Sequence, residues 1–241
     1  MIQREILART ATAGQTTEVN VAREYCQHLF LSAFYPQRGS EQVMFKGGTA
    51  LKIAYGSPRF SEDLDFSGFG VTVQQIENWI LAASGELALS GVGADLQESK
   101  PTSGGYLASL DCRLHDYRIR IRVEISLRQP NDVQGQGTLI TPDYLPAYVL
   151  TLLPETRLVE EKITALLTRS RPRDFFDLYF LLRKGLIPPD MKPRLAPVKE
   201  LLQDLTVDFQ RELAPFLPRS YLAVIRDFRS TLRDELRRHG V

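Results

Sequence analysis

The stretch FKGGTALKIAYGSPRFSEDLDFSG, residues 45–68, decides how the fold is interpreted. Val43 to Lys46 predicts a short apolar strand, and Thr49 to Tyr55 predicts a helix that begins directly after two glycines. A strand that turns into a helix through glycines exposes backbone N–H groups and the positive end of the helix dipole. Gly47 and Gly48 are therefore predicted to form a phosphate-binding turn.

Two carboxylates follow this turn at strand spacing. Asp63 and Asp65 are two residues apart, so both side chains project from one face of a strand while Leu64 and Phe66 point to the core. Adjacent carboxylates repel each other unless a cation lies between them. Magnesium prefers oxygen ligands and accompanies phosphates, which makes Mg²⁺ the expected cofactor.

A third carboxylate lies on a later strand, RIRIRVEIS, residues 118–126. Arginines and Glu124 alternate there with isoleucine and valine, so Glu124 is placed on a polar strand face. Two-metal phosphoryl transfer uses such a carboxylate to hold the second ion. A glycine pair alone is commonly a turn, and an acidic pair alone a solvated strand end. Their combination, with Asp63 fifteen residues after Gly48, favours catalysis.

The rest of the chain predicts an α+β fold with a mixed or antiparallel sheet and flanking helices, followed by a helical bundle. We expect a nucleotidyltransferase α/β domain over residues 1–150 and a helical domain over 151–241. The predicted helices span 18–34, about 76–87, 154–169 and 173–184, and the predicted later strands lie near 94–98, 106–114 and 117–127.

Composition limits the function classes. Apolar residues make up 43% of the 241 positions, which is ordinary for a globular protein. The net charge of +1 gives no global attraction to nucleic acid, so any RNA-binding surface must be local. Its candidate members are basic side chains on two segments: Arg113, Arg118, Arg120, Arg122 and Arg128, and Arg169, Arg171 and Arg173.

The sequence shows neither a targeting segment nor a metal-binding cysteine pattern. The apolar run Tyr148 to Leu153 is far too short to cross a bilayer, and the N-terminus lacks the apolar core of a secretory signal. We therefore expect a cytoplasmic protein that does not engage membranes. Cys26 and Cys112 lack metal-binding spacing and are expected to be buried thiols.

The quoted motifs resemble a known family. KGGTAL at 46–51 and RFSEDLDF at 59–66 are similar to the first motif of the AbiEii/AbiGii toxin family, a branch of the DNA polymerase β-like nucleotidyltransferases. Three later strings match in the family's order: VEIS at 123–126, EEKITAL at 160–166 and RPRDFFDLYFL at 171–181. The resemblance covers most of residues 43–184.

This resemblance implies a bacterial toxin of a toxin–antitoxin or phage-defence pair, and some family members add nucleotides to the 3′ end of tRNA. It implies phosphate contacts from Gly47, Gly48 and Thr49, and triphosphate binding by Lys162. It also implies that Asp63 and Asp65 hold metal and that Asp174 or Asp177 completes the site. Glu124 departs from the pattern, because superfamily members often have Asp there.

The sequence leaves two possible roles open for several side chains. Arg59, beside Ser61 at the carboxylate strand, either neutralises phosphate or forms a salt bridge to Glu62 or Asp63. Lys52 either reaches the phosphates or faces solvent, and Lys162 is either a ligand or a surface lysine. Asp174 is either a site residue or a helix N-terminal carboxylate stabilised by the dipole.

The sequence thus predicts a magnesium-dependent nucleotidyltransferase that moves NMP from an NTP to an acceptor, with tRNA favoured and a cognate antitoxin as a further partner. One alternative is a toxin that binds a nucleotide such as GTP without transferring it. Another is an enzyme that modifies a protein or a small molecule, since fold does not determine the substrate.

Overall fold

The computed structural model describes residues 1–129 and 133–241. The chain forms two compact units, Met1–Leu153 and Pro154–Val241. The first contains the sheet and the second is helical.

Among the described residues, one mixed sheet of seven strands runs through the first unit in the order β3-β4-β5-β2-β1-β7-β6. Its strands are β1 (Val43–Lys46), β2 (Asp63–Phe69), β3 (Gly93–Thr102), β4 (Gly105–Leu114), β5 (Tyr117–Arg128), β6 (Gln136–Ile140) and β7 (Tyr148–Leu152). Strand β2 lies antiparallel to β1 and parallel to β5. The predicted mixed sheet with flanking helices is confirmed.

In the described part of the first unit, four α-helices accompany this sheet: α1 (Arg4–Ala13), α2 (Glu18–Phe34), α3 (Gly47–Tyr55) and α4 (Val73–Leu89). The bounds predicted for α2 match those observed, and its start is explained by Thr17, whose side chain accepts a hydrogen bond from the backbone N–H of Asn20. Helix α3 begins at Gly47, two residues before the predicted start at Thr49.

The core lies on one face of the sheet because apolar and polar residues alternate along its central strands. Leu64 and Phe66 of β2, with Ile121 and Val123 of β5, are fully buried. Phe34 of α2 packs on Phe66 with ring centroids 5.7 Å apart. Burying these side chains forces the alternate residues of β2 and β5, which include the three predicted carboxylates, onto the opposite face.

Strands β6 and β7 and helix α1 were not predicted. Strand β7 is short, and its alternating YVLTL reads as a plain apolar run, whereas β6 contains a glycine that weakens its strand pattern. Phe45 of β1 aligns with Leu152 of β7 in a parallel pairing that connects sequence-distant segments. The carboxylate-bearing strand is therefore central in the sheet, with β1, β7 and β6 completing one side.

Helices make up the second unit: α5 (Glu155–Arg169), α6 (Pro172–Lys184), α7 (Val198–Asp204), α8 (Phe209–Leu213), α9 (Leu222–Arg226) and α10 (Phe228–Arg238). Pro172 occupies the first turn of α6, and Gly185 ends the helix with a left-handed φ of 67°. Phe176 stacks on Phe228 at 5.9 Å in the core of this unit.

Two further expectations concern burial and membranes. Cys26 of α2 and Cys112 of β4 are free and buried, as expected. No helix within residues 1–129 and 133–241 is long and apolar enough to span a membrane.

Candidate active site

The strand register brings the three predicted carboxylates onto neighbouring strands. Asp65 of β2 aligns with Glu124 of β5, and Asp63 aligns with Arg122. Parallel neighbours are about 4.8 Å apart, and aligned residues share a face of the sheet. Asp63, Asp65 and Glu124 are each partly exposed, whereas Leu64 between the two aspartates is fully buried. One solvent-facing patch therefore carries all three acids.

Gly47 places the glycine turn against this patch. It has a φ of +83°, and a Cβ built on it would lie 2.1 Å from Oδ2 of Asp65. That distance is far inside van der Waals contact, so only glycine allows the carboxylate of Asp65 to lie against this backbone. The glycine turn and the carboxylates consequently occupy the same side of the sheet.

Gly48 leaves room for two polar side chains. A Cβ there would lie 2.6 Å from Nη2 of Arg59 and 2.8 Å from Oγ of Ser61. Arg59 is only 3% exposed, and its Nη1 donates a hydrogen bond of 3.2 Å to the carbonyl oxygen of Phe60. A buried guanidinium beside the backbone at a helix N-terminus creates a positive cradle suited to a phosphate.

On α3, Thr49 faces the interior and Lys52 is half-buried. Thr49 is fully buried, and its hydroxyl donates to the backbone carbonyl of Asp63, which ties α3 to the start of β2. The Nζ of Lys52 lies 4.2 Å from the centroid of the Phe60 ring, a cation–π contact. Thr49 thus positions the strand that carries the acids, and Lys52 packs on the segment that leads into it.

Gln27 was missed by the sequence analysis. It is buried on α2, and its Nε2 donates to the carbonyl oxygens of Ser61 and Glu62 at 3.0 and 3.1 Å. Arg23, one turn earlier, forms an ion pair of 3.3 Å with Glu62. These contacts hold the extended segment before β2. A polar residue on the apolar face of a predicted helix was the available signal.

Glu124 has an ion-pair partner on its own strand. Its Oε1 lies 3.0 Å from Nε of Arg122, and the side chains are 46% and 52% exposed, respectively. In the part of the chain that the structure describes, no three His, Cys, Asp or Glu side chains already come together as a metal cage. The backbone thus places the three acids side by side, while the side chain of Glu124 is engaged with arginine.

The donor set still fits a divalent ion. Asp63 and Asp65 offer carboxylate oxygens on one face of the sheet, and the carboxylate of Asp65 lies against the glycine turn at Gly47. Glu124 would join them once its side chain turned from Arg122. Such an ion would supply Lewis acidity and charge neutralisation for a phosphoryl group.

Within the helical unit, Lys162 and Asp177 form a buried pair. Nζ of Lys162 lies 2.6 Å from Oδ2 of Asp177, whose side chain is 1% exposed. Asp174 accepts two hydrogen bonds from Arg169 at 2.8 and 2.6 Å, and a third from the backbone N–H of Arg171 at 3.2 Å. Asp174 is therefore a helix-capping carboxylate in this structure, and Asp177 is the acid that contacts Lys162.

The predicted basic residues differ in how much of their charge is neutralised. Arg120 forms a bidentate ion pair with Asp111 at 2.6 and 2.8 Å, which lowers the pKa of that carboxyl group. Arg113 pairs with Asp95. Arg171 and Arg173 are exposed near the start of α6. Much of the charge on the sheet face is thus neutralised within the sheet.

Comparison with known proteins gives a family match and several similar solved structures, two of which are described below. Residues 29–239 match the model of the family described as nucleotidyl transferase AbiEii toxin, type IV toxin–antitoxin system. The crystal structure of JHP933 from Helicobacter pylori is 19% identical with a TM-score of 0.61, covering 93% of this chain and 96% of that chain. A candidate nucleotidyltransferase from H. pylori is 21% identical with a TM-score of 0.60, covering 91% and 92%. No curated protein matches the sequence significantly.

Proposed function

The chain belongs to the AbiEii nucleotidyltransferase toxin family, and from this premise we propose that it transfers a nucleoside monophosphate from an NTP to the 3′ end of a tRNA. The observation that carries this proposal is the contact between the backbone of Gly47 and the carboxylate of Asp65. It joins a phosphate-binding turn to an acidic patch, which is the combination that nucleotidyl transfer requires.

The first unit supplies the proposed phosphate and metal groups. The N–H groups at Gly47 and Gly48 and the guanidinium of Arg59 bind the triphosphate, with Ser61 beside them. Asp63, Asp65 and Glu124 are the proposed ligands of divalent metal, and we infer Mg²⁺ because the donors are hard oxygens. Nucleotidyltransferases of this kind generally use a divalent metal.

The proposed reaction is a single displacement. The acceptor hydroxyl attacks the α phosphorus, the bond from that phosphorus to the pyrophosphate oxygen breaks, and the hydroxyl proton passes to solvent. The buried Arg59 offsets the negative charge of the phosphates without needing to reorganise, because the protein already fixes it against Gly48.

By the resemblance of EEKITAL, residues 160–166, Lys162 is proposed to bind phosphate. Asp177 is its proposed positioning residue, because the buried carboxylate fixes the ammonium group of Lys162 at 2.6 Å. The 11% exposure of Lys162 argues against the surface-lysine interpretation. Asp174 is assigned to capping and not to chemistry.

An RNA acceptor is favoured by the exposed arginines at 118, 122, 171 and 173, which can meet a phosphate backbone. We also propose that the protein acts as the toxin of a bacterial toxin–antitoxin pair with a role in phage defence. Its partner is then a cognate antitoxin.

The acceptor is tested by incubating the protein with each α-labelled NTP, Mg²⁺ and total bacterial tRNA. We expect label in the tRNA band, removed by brief 3′ exonuclease treatment, and much weaker labelling by Lys162→Gln. Label in a protein band would instead identify a protein-modifying enzyme. A protein that retains bound nucleotide and labels no acceptor would be the nucleotide-binding alternative, and either result would overturn the tRNA proposal.

A further inference from the structure

Arg122 is a positive charge placed inside the acidic patch. It lies on β5 two residues before Glu124, so both side chains project from the same face of the strand. The register puts it directly opposite Asp63, while Glu124 is opposite Asp65. Its Nε is 3.0 Å from Oε1 of Glu124. The guanidinium therefore belongs to the same constellation as the three acids.

Without a cation, three carboxylates on adjacent strand positions would repel one another. The ion pair with Arg122 offsets part of that repulsion and turns Glu124 along its own strand. This agrees with the finding that, among residues 1–129 and 133–241, no three metal-binding side chains are gathered as a cage. Arg122 thus supplies, beside Glu124, part of the positive charge that a bound divalent ion would supply.

We propose that Arg122 is a built-in counter-ion that holds Glu124 until a divalent ion replaces it. The inference rests on the proposed function, because it presumes that these carboxylates bind a divalent ion. It makes Arg122 a positioning residue whose state depends on metal.

The exposure of the pair makes the exchange feasible. Both side chains are about half exposed, so water screens their attraction and the pair is weak. A divalent ion bound by several carboxylates competes well against one screened guanidinium. After release, Arg122 remains on the sheet face beside Asp63, with which it is aligned.

The same geometry explains why glutamate occupies position 124. Residues two apart on a strand are separated by about 6.6 Å, a span that two long side chains bridge easily. Aspartate is one methylene shorter and would reach Arg122 less well. Glutamate at position 124 thus has the reach that pairing with Arg122 in the absence of metal requires.

Arg118 is the matched control. It lies on the same strand and face as Arg122 but aligns with Arg113 instead of with a carboxylate. Arg120 is less suitable, because its bidentate pair with Asp111 would be broken by substitution. Replacing Arg118 removes an equal charge from the face without touching Glu124.

The test is isothermal titration of the full-length protein with Mn²⁺ in the absence of nucleotide. Arg122→Gln should bind the ion about two- to fivefold more tightly than wild type, the range expected from losing one exposed ion pair. Arg118→Gln should stay within error of wild type. The gain should vanish in the double variant with Glu124→Gln, and it should shrink at high salt.

The possible outcomes separate the two proposals. The counter-ion proposal would be wrong if Arg122→Gln bound Mn²⁺ no more tightly than wild type, or if Arg118→Gln showed an equal gain. The proposed metal site would be unaffected by either result. If wild type bound no Mn²⁺, or if Asp63→Asn bound it as well as wild type, both the metal site and the counter-ion would be wrong. Circular dichroism confirms that each variant is folded before titration.

Discussion

Asp63→Asn and Asp65→Asn should each reduce nucleotide transfer by roughly a thousandfold, the scale expected when a group that stabilises charge in the transition state is removed. Asparagine keeps the size of the side chain but loses the charge that attracts a divalent ion. Both acids lie on the solvent-facing side of β2, away from the buried Leu64 and Phe66. The substitution therefore leaves the core unchanged.

The measurement is the initial rate of label incorporation at saturating NTP, with the thermal unfolding midpoint recorded for each variant. Asp116→Asn is the control, because that carboxylate lies in the turn between β4 and β5 and pairs only peripherally with Arg4. It should retain wild-type activity. Substantial transfer by either site variant, at an unchanged midpoint, would show that the acidic pair does not carry the chemistry.

Gly47→Ala should also reduce transfer strongly, for a steric reason. Its methyl group would lie 2.1 Å from Oδ2 of Asp65, so the carboxylate must move. The φ of +83° adds strain of about 1–2 kcal/mol for a residue with a Cβ. Activity per folded molecule is expected to fall at least about a hundredfold, since small displacements of reacting groups are costly.

Gly56→Ala provides the matched control for that variant. Gly56 ends the same helix with a φ of +74°, and a Cβ there meets nothing within 4 Å. It should lose a similar amount of stability from backbone strain, lowering the midpoint by a few degrees, and keep its activity. Equal losses of activity in both variants would mean that strain, and not the contact with Asp65, explains the effect at Gly47.

The sequence was sufficient to predict the parts of the site that depend on local pattern. Spacing alone predicts the glycine turn at Gly47 and Gly48. It also predicts that Asp63 and Asp65 share a strand face opposite to Leu64. Glu124 was placed on a polar face by alternation along β5. Each of these predictions concerns one strand or helix by itself. Burial of the alternating apolar side chains decides which face the polar residues occupy.

Local sequence patterns do not predict features that depend on contacts between distant parts of the chain. The alignment of Asp63 with Arg122 follows from the parallel register of β2 and β5, which local spacing does not specify. The hydrogen bond from Gln27 to the carbonyl oxygen of Ser61 joins residues 34 positions apart. Thr49 was predicted to bind phosphate, yet the packing of α3 on β2 directs its hydroxyl to the carbonyl of Asp63.

The helical unit illustrates both cases. Helix α6 and its closing glycine were predicted from caps and periodicity, because Pro172 and Gly185 act locally. The sequence did not predict the choice between Asp174 and Asp177, because that choice depends on which acid Lys162 contacts from another helix. The structure pairs Lys162 with Asp177 and uses Asp174 as a cap.

The central claim is that this site moves a nucleoside monophosphate. The most direct measurement compares NTP labelled at the α phosphate with NTP labelled at the γ phosphate, with Mg²⁺ and tRNA present. We predict that only α label enters the acceptor and that all γ label leaves as pyrophosphate. Entry of γ label, or release of free phosphate without any α label in the acceptor, would contradict the account.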